Sequence, residues 1–153
     1  MRIKKTTKRG LLIIISLLIL MLMMGNIIWL KVDIYGVYIP SYQIHVNLYG
    51  GLIVIKNDPN MEESLQLSSL HLPWKKNMEL FFLAMESKGD EDESGWLDAI
   101  DVNIRIFWKN YTFTYGDADN ENLDKLVEKL MDLSPIPVVD YAGEPIVPVP
   151  DYD

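Results

Sequence analysis

The longest apolar segment of the chain covers residues 10–30, and no charged side chain interrupts it. At about 1.5 Å of rise per residue, a helix of this length spans about 31 Å, the thickness of a bilayer hydrocarbon core. Lipid offers backbone amides no hydrogen-bond partner, so a segment in that environment has to be helical. The pattern therefore predicts a transmembrane helix over 10–30 that acts as an uncleaved signal anchor.

The charges on the two sides of this segment predict its orientation. The leader, residues 1–9, holds five cations and no acid, whereas the other flank opens with Lys31 and Asp33. Positive residues beside a membrane helix stay on the cytoplasmic side. We therefore expect a single-pass protein of the cell membrane with residues 31–153 on the extracytoplasmic side and Trp29 at the outer interface.

A cleaved signal peptide is the main alternative for this segment. Its apolar region would be residues 11–24, with cleavage after Gly25. Signal peptidase prefers small side chains at positions −1 and −3 of the cut, and Met23 at −3 is large. The apolar run also resumes after Asn26, which favours an anchor that is kept.

The segment Lys8-Arg9-Gly10 followed by an apolar helix resembles the N-terminus of type IV pilins and pseudopilins, in which that Gly marks the processing site. The chain departs from the family pattern at Leu11, where the family has an aromatic residue, and at Ile15, where it has Glu. The resemblance covers only about twenty residues. It implies nothing about the domain that follows.

Alternating apolar residues predict a β-hairpin after the anchor. A first strand over 32–39 is expected to end at Pro40. Residues 42–49 then place Tyr42, Ile44, Val46 and Leu48 on one face. Gly50-Gly51 suits a two-residue turn, because glycine adopts the positive φ of such turns. This turn predicts that Val46 lies opposite Ile55.

A second hairpin is predicted over residues 101–115. Val102, Ile104, Ile106 and Trp108 share one face, Lys109-Asn110 forms the turn, and 111–115 returns. In this register Trp108 faces Tyr111 and Ile106 faces Phe113. We therefore expect Trp108 to be buried or half-buried.

Three further segments complete the predicted α+β domain, residues 31–133. Residues 65–72 alternate, but their parity changes at Ser68-Ser69, which predicts a bulge or two short extended pieces. Residues 77–88 fit either a helix capped by Asn77 or a buried strand, and we favour the helix. Leu123, Leu126, Val127, Leu130 and Met131 recur at helical spacing and predict an amphipathic C-terminal helix.

The tail, residues 134–153, contains five prolines, which disfavour regular structure and predict a flexible Pro-rich segment. It holds a near-repeat, in which Pro137 precedes Tyr141 as Pro148 precedes Tyr152. These four residues are candidate partner-binding positions, because a preformed extended chain loses little entropy on docking. The alternative is an inert spacer or a segment that lies along the domain edge.

Charge and residue types narrow the possible functions. All 22 acids follow residue 30, against nine cations there, which argues against nucleic acid and anionic lipid as ligands. The chain has no Cys, no nucleophile motif and no Gly-rich phosphate loop, and its two histidines, His45 and His71, lack metal spacing. We therefore predict no catalytic site and no cofactor.

Two acidic clusters are the places where Ca²⁺ would bind. One is residues 90–93; the other is Asp117, Asp119, Glu121 and Glu128, in which Asn122 replaces the glycine of an EF-hand loop. A solvated loop and a helix cap are the favoured interpretations.

The expected function is a non-enzymatic, membrane-anchored extracytoplasmic binding or accessory protein that engages another envelope protein. The alternative is a membrane-tethered ligand sensor or an immunity-type inhibitor with an acidic face. Such an electrostatic blocker would weaken sharply with ionic strength, whereas apolar contact would not.

Overall fold

The computed structural model describes residues 5–25, 27–60, 65–87, 100–116 and 121–146. It confirms the predicted α+β class. The elements, in chain order, are α1 (Lys5–Gly25), β1 (Ile28–Gly36), β2 (Ile39–Asn47), β3 (Gly51–Asn57), β4 (Leu65–His71), α2 (Trp74–Glu86), β5 (Asp101–Ile106), β6 (Lys109–Thr114) and α3 (Glu121–Leu133).

The six strands form one antiparallel sheet in the order β4-β3-β2-β1-β5-β6. β1 is the first strand in the chain, yet it lies inside the sheet between β2 and β5. One face of the sheet carries the core, onto which α2 and α3 add their apolar sides. The strand residues buried in the core include Trp29, Leu30, Val32, Ile34, Ile39, Tyr42, Ile44, Val46, Leu52, Val54, Val102, Ile104, Ile106 and Phe113.

The helix predicted over 10–30 ends earlier than expected. α1 stops at Gly25, and β1 begins at Ile28. Leu30 pairs with Val46 on one side and Ile106 on the other. Trp29, predicted at a lipid interface, is only 1% exposed. Apolar residues at this point are drawn into the sheet, because strand pairing and core burial together outweigh continuation of the helix.

Among the residues described, no helix combines the length and the apolar character that a membrane crossing requires.

The first hairpin has a different register from the predicted one. Val46 pairs with Leu52 and not with Ile55. The Asn47 side chain sets the turn, because its Oδ1 accepts hydrogen bonds from the main-chain N–H groups of Tyr49, at 3.0 Å, and Gly51, at 2.8 Å. Gly50 adopts the positive φ of 85°. The pairing partner of Val46 is therefore shifted by three residues from the predicted one. Because three is an odd number, the two faces of β3 are exchanged, and Leu52 enters the core whereas Ile55 does not.

The β1–β2 turn and the strand β4 also differ from the prediction. The turn between β1 and β2 is Val37-Tyr38, and Pro40 lies within β2 instead of ending a strand. β4 is one uninterrupted strand that pairs with β3 from Leu65 to His71. The predicted bulge at Ser68 is therefore wrong.

The second hairpin turns earlier than predicted, at Phe107-Trp108, where Phe107 has a φ of 53°. Ile106 pairs with Lys109, and Phe113 pairs with Val102. The shift is even, so the core face of β5 is as predicted. Trp108 itself is 83% exposed, and its predicted burial is wrong because it lies in the turn and not in the strand.

The helix favoured for 77–88 is confirmed as α2, although it begins at Trp74, directly after Pro73. Asn77 is buried and is not the cap; its Nδ2 donates to the Leu48 carbonyl at 3.0 Å. The apolar stripe predicted for α3 is confirmed at Leu123, Leu126, Val127 and Leu130, which are buried.

The first part of the predicted flexible tail packs on the domain instead of extending away from it. Ile136 and Val138 are buried. The Tyr42 hydroxyl donates to the Val139 carbonyl at 2.9 Å and accepts from the Val139 N–H at 3.1 Å. Proline holds the chain extended, and the alternating apolar residues then cover the sheet. The packed domain therefore continues beyond residue 133.

Trp29 and Trp108 provide a matched test of this architecture. We expect Trp29→Ala to lower the free energy of unfolding by about 3–5 kcal/mol, because it empties a fully buried site. Trp108→Ala should change it by less than about 0.5 kcal/mol. Urea denaturation of both variants measures this. Equal losses would contradict the turn at Phe107-Trp108; Trp29→Phe replaces Trp29→Ala if the latter does not fold.

Candidate functional site

One face of the sheet carries polar side chains and is left uncovered by α2 and α3; we call it the open face. Strand pairing arranges its side chains in rows that cross all six strands. One row runs Ser69, Ile53, His45, Lys31, Arg105, Asn110, and the next runs Leu67, Ile55, Gln43, Asp33, Asn103, Thr112. The open face thus has an apolar half on β3 and β4 and a polar half on β2, β1, β5 and β6.

The polar half contains a shallow cavity of about 160 Å³, lined by Lys31, Asp33, Asn103, Ile104, Arg105 and Asn110. Lys31 Nζ donates to Asp33 Oδ2 at 2.7 Å. Asn103 Nδ2 donates to the Tyr35 hydroxyl at 3.2 Å. The first contact lies within β1 and the second crosses from β5 to β1; together they hold these side chains in fixed positions on the sheet.

Two buried polar atoms in this region have no hydrogen-bond partner within the described part of the chain: Asp33 Oδ1 and His45 Nε2. They belong to neighbouring strands and to adjacent rows. A buried polar atom without a partner costs about 1–3 kcal/mol, which marks these two positions as the least satisfied in the polar half. The exposed donors and acceptors around them, such as Arg105 and Asn110, are the groups that a ligand or a polypeptide could reach.

Burial lowers the pKa of His45 from its ordinary value. The positive charges of Lys31 and Arg105 act in the same direction, while Asp33 opposes them. The imidazole is therefore neutral near neutral pH, and one ring nitrogen donates while the other accepts. Such a group suits recognition of uncharged amides better than binding of an anion.

The apolar half ends at β4, which lies at the sheet edge. Leu65 is 64% exposed and Leu67 is 67% exposed. Their row neighbours on β3 include Ile55, which is half-buried. An exposed edge strand with apolar side chains is a template for pairing with another strand. The opposite edge, β6, starts with Lys109 and carries Asn110 and Thr112, polar and charged residues of the kind that discourage such pairing.

Of the four residues singled out from the sequence, the two that the structure describes, Pro137 and Tyr141, are not on the strands of this face. Tyr141 is exposed, and its N–H donates to the Tyr38 carbonyl at 3.2 Å, beside the β1–β2 turn. Pro137 is exposed between the buried Ile136 and Val138. Pro148 and Tyr152 lie outside the described residues.

Most of the acidic positions considered for Ca²⁺ are also outside the part of the chain that the structure describes. Residues 90–93, Asp117 and Asp119 lie outside the described residues. Within the ranges that the structure covers, no three His, Asp or Glu side chains converge as metal ligands would.

Sequence reasoning placed His45 on a polar strand face, as observed, but it missed the cluster with Lys31, Asp33 and Arg105. The alternating polar positions on each strand were visible. The order β2-β1-β5, which brings these strands together, has no local signal, because β5 lies about 70 residues after β1.

The neutral state of His45 predicts a pH dependence of stability. The unfolded histidine binds its proton near pH 6.5, and the folded one binds it only at lower pH. The unfolded state therefore holds more protons between these values, so stability falls as the pH drops below about 6.5. His45→Gln should flatten this part of a denaturation-versus-pH profile, and His71→Gln should keep it. An unchanged slope in His45→Gln would contradict the assignment.

The chain matches no family model, and no curated protein or solved structure matches it.

Proposed function

We propose that this chain is a membrane-anchored, extracytoplasmic and non-enzymatic binding protein that engages another envelope protein through the β4 edge of its sheet. The observation that carries the proposal is the exposure of β4, in which only Ser68 is half-buried and every other residue is exposed. Addition of a strand supplies main-chain hydrogen bonds for affinity and side-chain contacts for specificity.

The rows of the open face indicate what an added strand would contact. Its side chains on that face would lie beside Leu65 and Leu67, and those on the other face would lie beside Leu70, which is also exposed. A complementary strand therefore has apolar residues facing both sides. Two or three leucine-sized contacts contribute several kcal/mol before the cost of association is subtracted.

Two features support the membrane anchor. The first is the charge-free sequence from Gly10 onward, which follows a leader with five cations and no acid. The second is the exposure of the apolar side chains of α1: the large ones between Leu11 and Met23 are 45–68% exposed on all sides of the helix. A helix that is apolar all round belongs in a protein core or in lipid. Residues 27–146 then form the domain held at the membrane surface.

A photo-crosslinking amino acid at Leu67 tests the binding surface. In native membranes we expect an adduct with another protein from position 67 and none from position 112 on the opposite edge. Leu67→Lys should remove partner capture without changing the melting temperature, because the side chain is exposed. Adducts formed equally from both positions would overturn the edge assignment, and an adduct solely with a second copy would assign β4 to a homodimer.

Protease accessibility tests the orientation. Protease added to intact cells or spheroplasts should digest the domain and leave the basic leader protected, because the leader is expected on the cytoplasmic side. An epitope at each terminus reports the two ends separately. Digestion of the domain only after lysis would reverse the proposed topology.

A further inference from the structure

Four connections meet at the end of the sheet next to α1; we call this the α1 end. They are the start of β1, the β2–β3 loop, the β4–α2 joint and the β5–β6 turn. Main-chain hydrogen bonds tie them together: Leu48 N to Ile27 O at 3.1 Å, Phe107 N to Trp29 O at 2.7 Å and Leu72 N to Gly50 O at 2.7 Å. These segments therefore form one rigid surface.

Aromatic side chains are concentrated at the α1 end. Trp29, Phe81 and Phe107 form a packed cluster, with ring centroids 5.5–6.2 Å apart. Around it, Trp74 and Trp108 extend outward and are 69% and 83% exposed. Exposed tryptophans fixed on a rigid base resemble the aromatic residues that membrane proteins place at the headgroup level, where one part of the ring is apolar and the N–H is hydrated.

Cations accompany these tryptophans although acids outnumber cations across residues 31–153. Lys75 and Lys76 directly follow Trp74, and Lys109 directly follows Trp108. Lys75 and Lys109 are exposed. Juxtamembrane lysines attract anionic lipid headgroups. Lys76 pairs with Glu79 at 3.7 Å, so Lys75 and Lys109 are the lysines beside the two tryptophans on which a lipid contact would depend.

In the proposed membrane anchor, the length of α1 would place this surface close to lipid. From Gly10 to Gly25 the helix has sixteen residues without charge. At about 1.5 Å per residue these span about 24 Å, which is less than the roughly 30 Å of a hydrocarbon core. A short apolar helix thins the bilayer or draws its flanking residues inward. The flank on this side is the α1 end.

The β2–β3 loop lies alongside the last turns of α1. The Tyr49 hydroxyl contacts the Met21 carbonyl, and the Tyr49 ring lies against Gly25, where a side chain larger than hydrogen would collide with it. The Tyr49 side chain thus lies beside the last turns of α1, between Met21 and Gly25. If these turns are in the membrane, the β2–β3 loop lies at the same depth in the bilayer.

We infer that the α1 end is a docking surface for the anionic headgroup layer of the membrane that α1 enters, with Trp74 and Trp108 inserted at the interface and Lys75 and Lys109 on lipid phosphates. The inference rests on the proposed membrane anchor. It fixes the domain upright on the bilayer, with the β1–β2 turn at the far end and the β4 edge accessible from the side.

The absence of cysteine from the chain allows a clean test with single labels. A fluorophore is attached to Asn110→Cys, next to the β5–β6 turn, or to Val37→Cys, in the β1–β2 turn. Asn110 lies in the row of Lys31, so the two labels are separated by about 20 Å along β1. The full chain is reconstituted into vesicles of phosphatidylcholine and phosphatidylglycerol that contain nitroxide-labelled headgroups. We expect the headgroup nitroxides to quench the fluorophore at position 110 strongly and the fluorophore at position 37 weakly or not at all.

Charge reversal tests the lipid component of the surface. Lys75→Glu combined with Lys109→Glu should remove most of the quenching at 110, since each lysine near an anionic surface changes association by roughly fivefold. Lys125→Glu, on the exposed side of α3, is the matched control and should keep it. Trp74→Ala combined with Trp108→Ala should also reduce the quenching, including in vesicles of phosphatidylcholine alone.

Flotation of the same vesicles distinguishes failure of the membrane anchor from failure of the docking surface. A chain that does not float with the vesicles would overturn the proposed anchor and, with it, the docking surface. A chain that floats but is quenched no more at 110 than at 37 would overturn the docking surface alone. Quenching at 110 that survives the double charge reversal would assign the contact to the tryptophans and reject the role of the lysines.

Discussion

The structure depends on the position of β1. This strand follows α1 after a two-residue connection, and it lies inside the sheet with β2 on one side and β5 on the other. Trp29, near its start, contacts Phe81 of α2 and Phe107 of the β5–β6 turn. The first residues of β1, which are nearest to α1, therefore also contact α2 and connect the two hairpins. A domain on a long flexible linker would lack this coupling.

The two hairpins show which parts of a sheet local sequence determines. Alternation along 101–106 predicts the core face correctly, because the actual turn shifts the pairing by an even number of residues. In the first hairpin, Gly50-Gly51 suggests the shorter turn, but the Asn47 carboxamide binds two main-chain N–H groups and lengthens it. The resulting odd shift exchanges the faces of β3. The pattern of each strand is thus readable, whereas register depends on turn chemistry several residues away.

The helices were easier to predict from the sequence than the cluster of polar residues on the open face. The 3.6-residue period of α3 is a property of one segment, and Leu123, Leu126, Val127 and Leu130 are buried as that period requires. The open-face cluster needs Lys31, His45 and Arg105 on three strands whose order follows from long-range pairing. The tail shows the same limitation: its prolines left open whether it is flexible or lies along the domain edge, and the contact that distinguishes the two comes from Tyr42, which binds both main-chain groups of Val139 from 97 residues away.

The placement of β1 also sets the order in which the protein can be completed. β1 is made first, but its pairing with β5, from Leu30 and Ile106 to Tyr35 and Asp101, waits for about 70 further residues. At roughly 5–20 residues per second, synthesis of that stretch takes on the order of 4–14 s. Throughout this interval one edge of an apolar strand is open. A chain in which both partners of the central strand directly followed it would close this edge sooner, because the pairing would be more local.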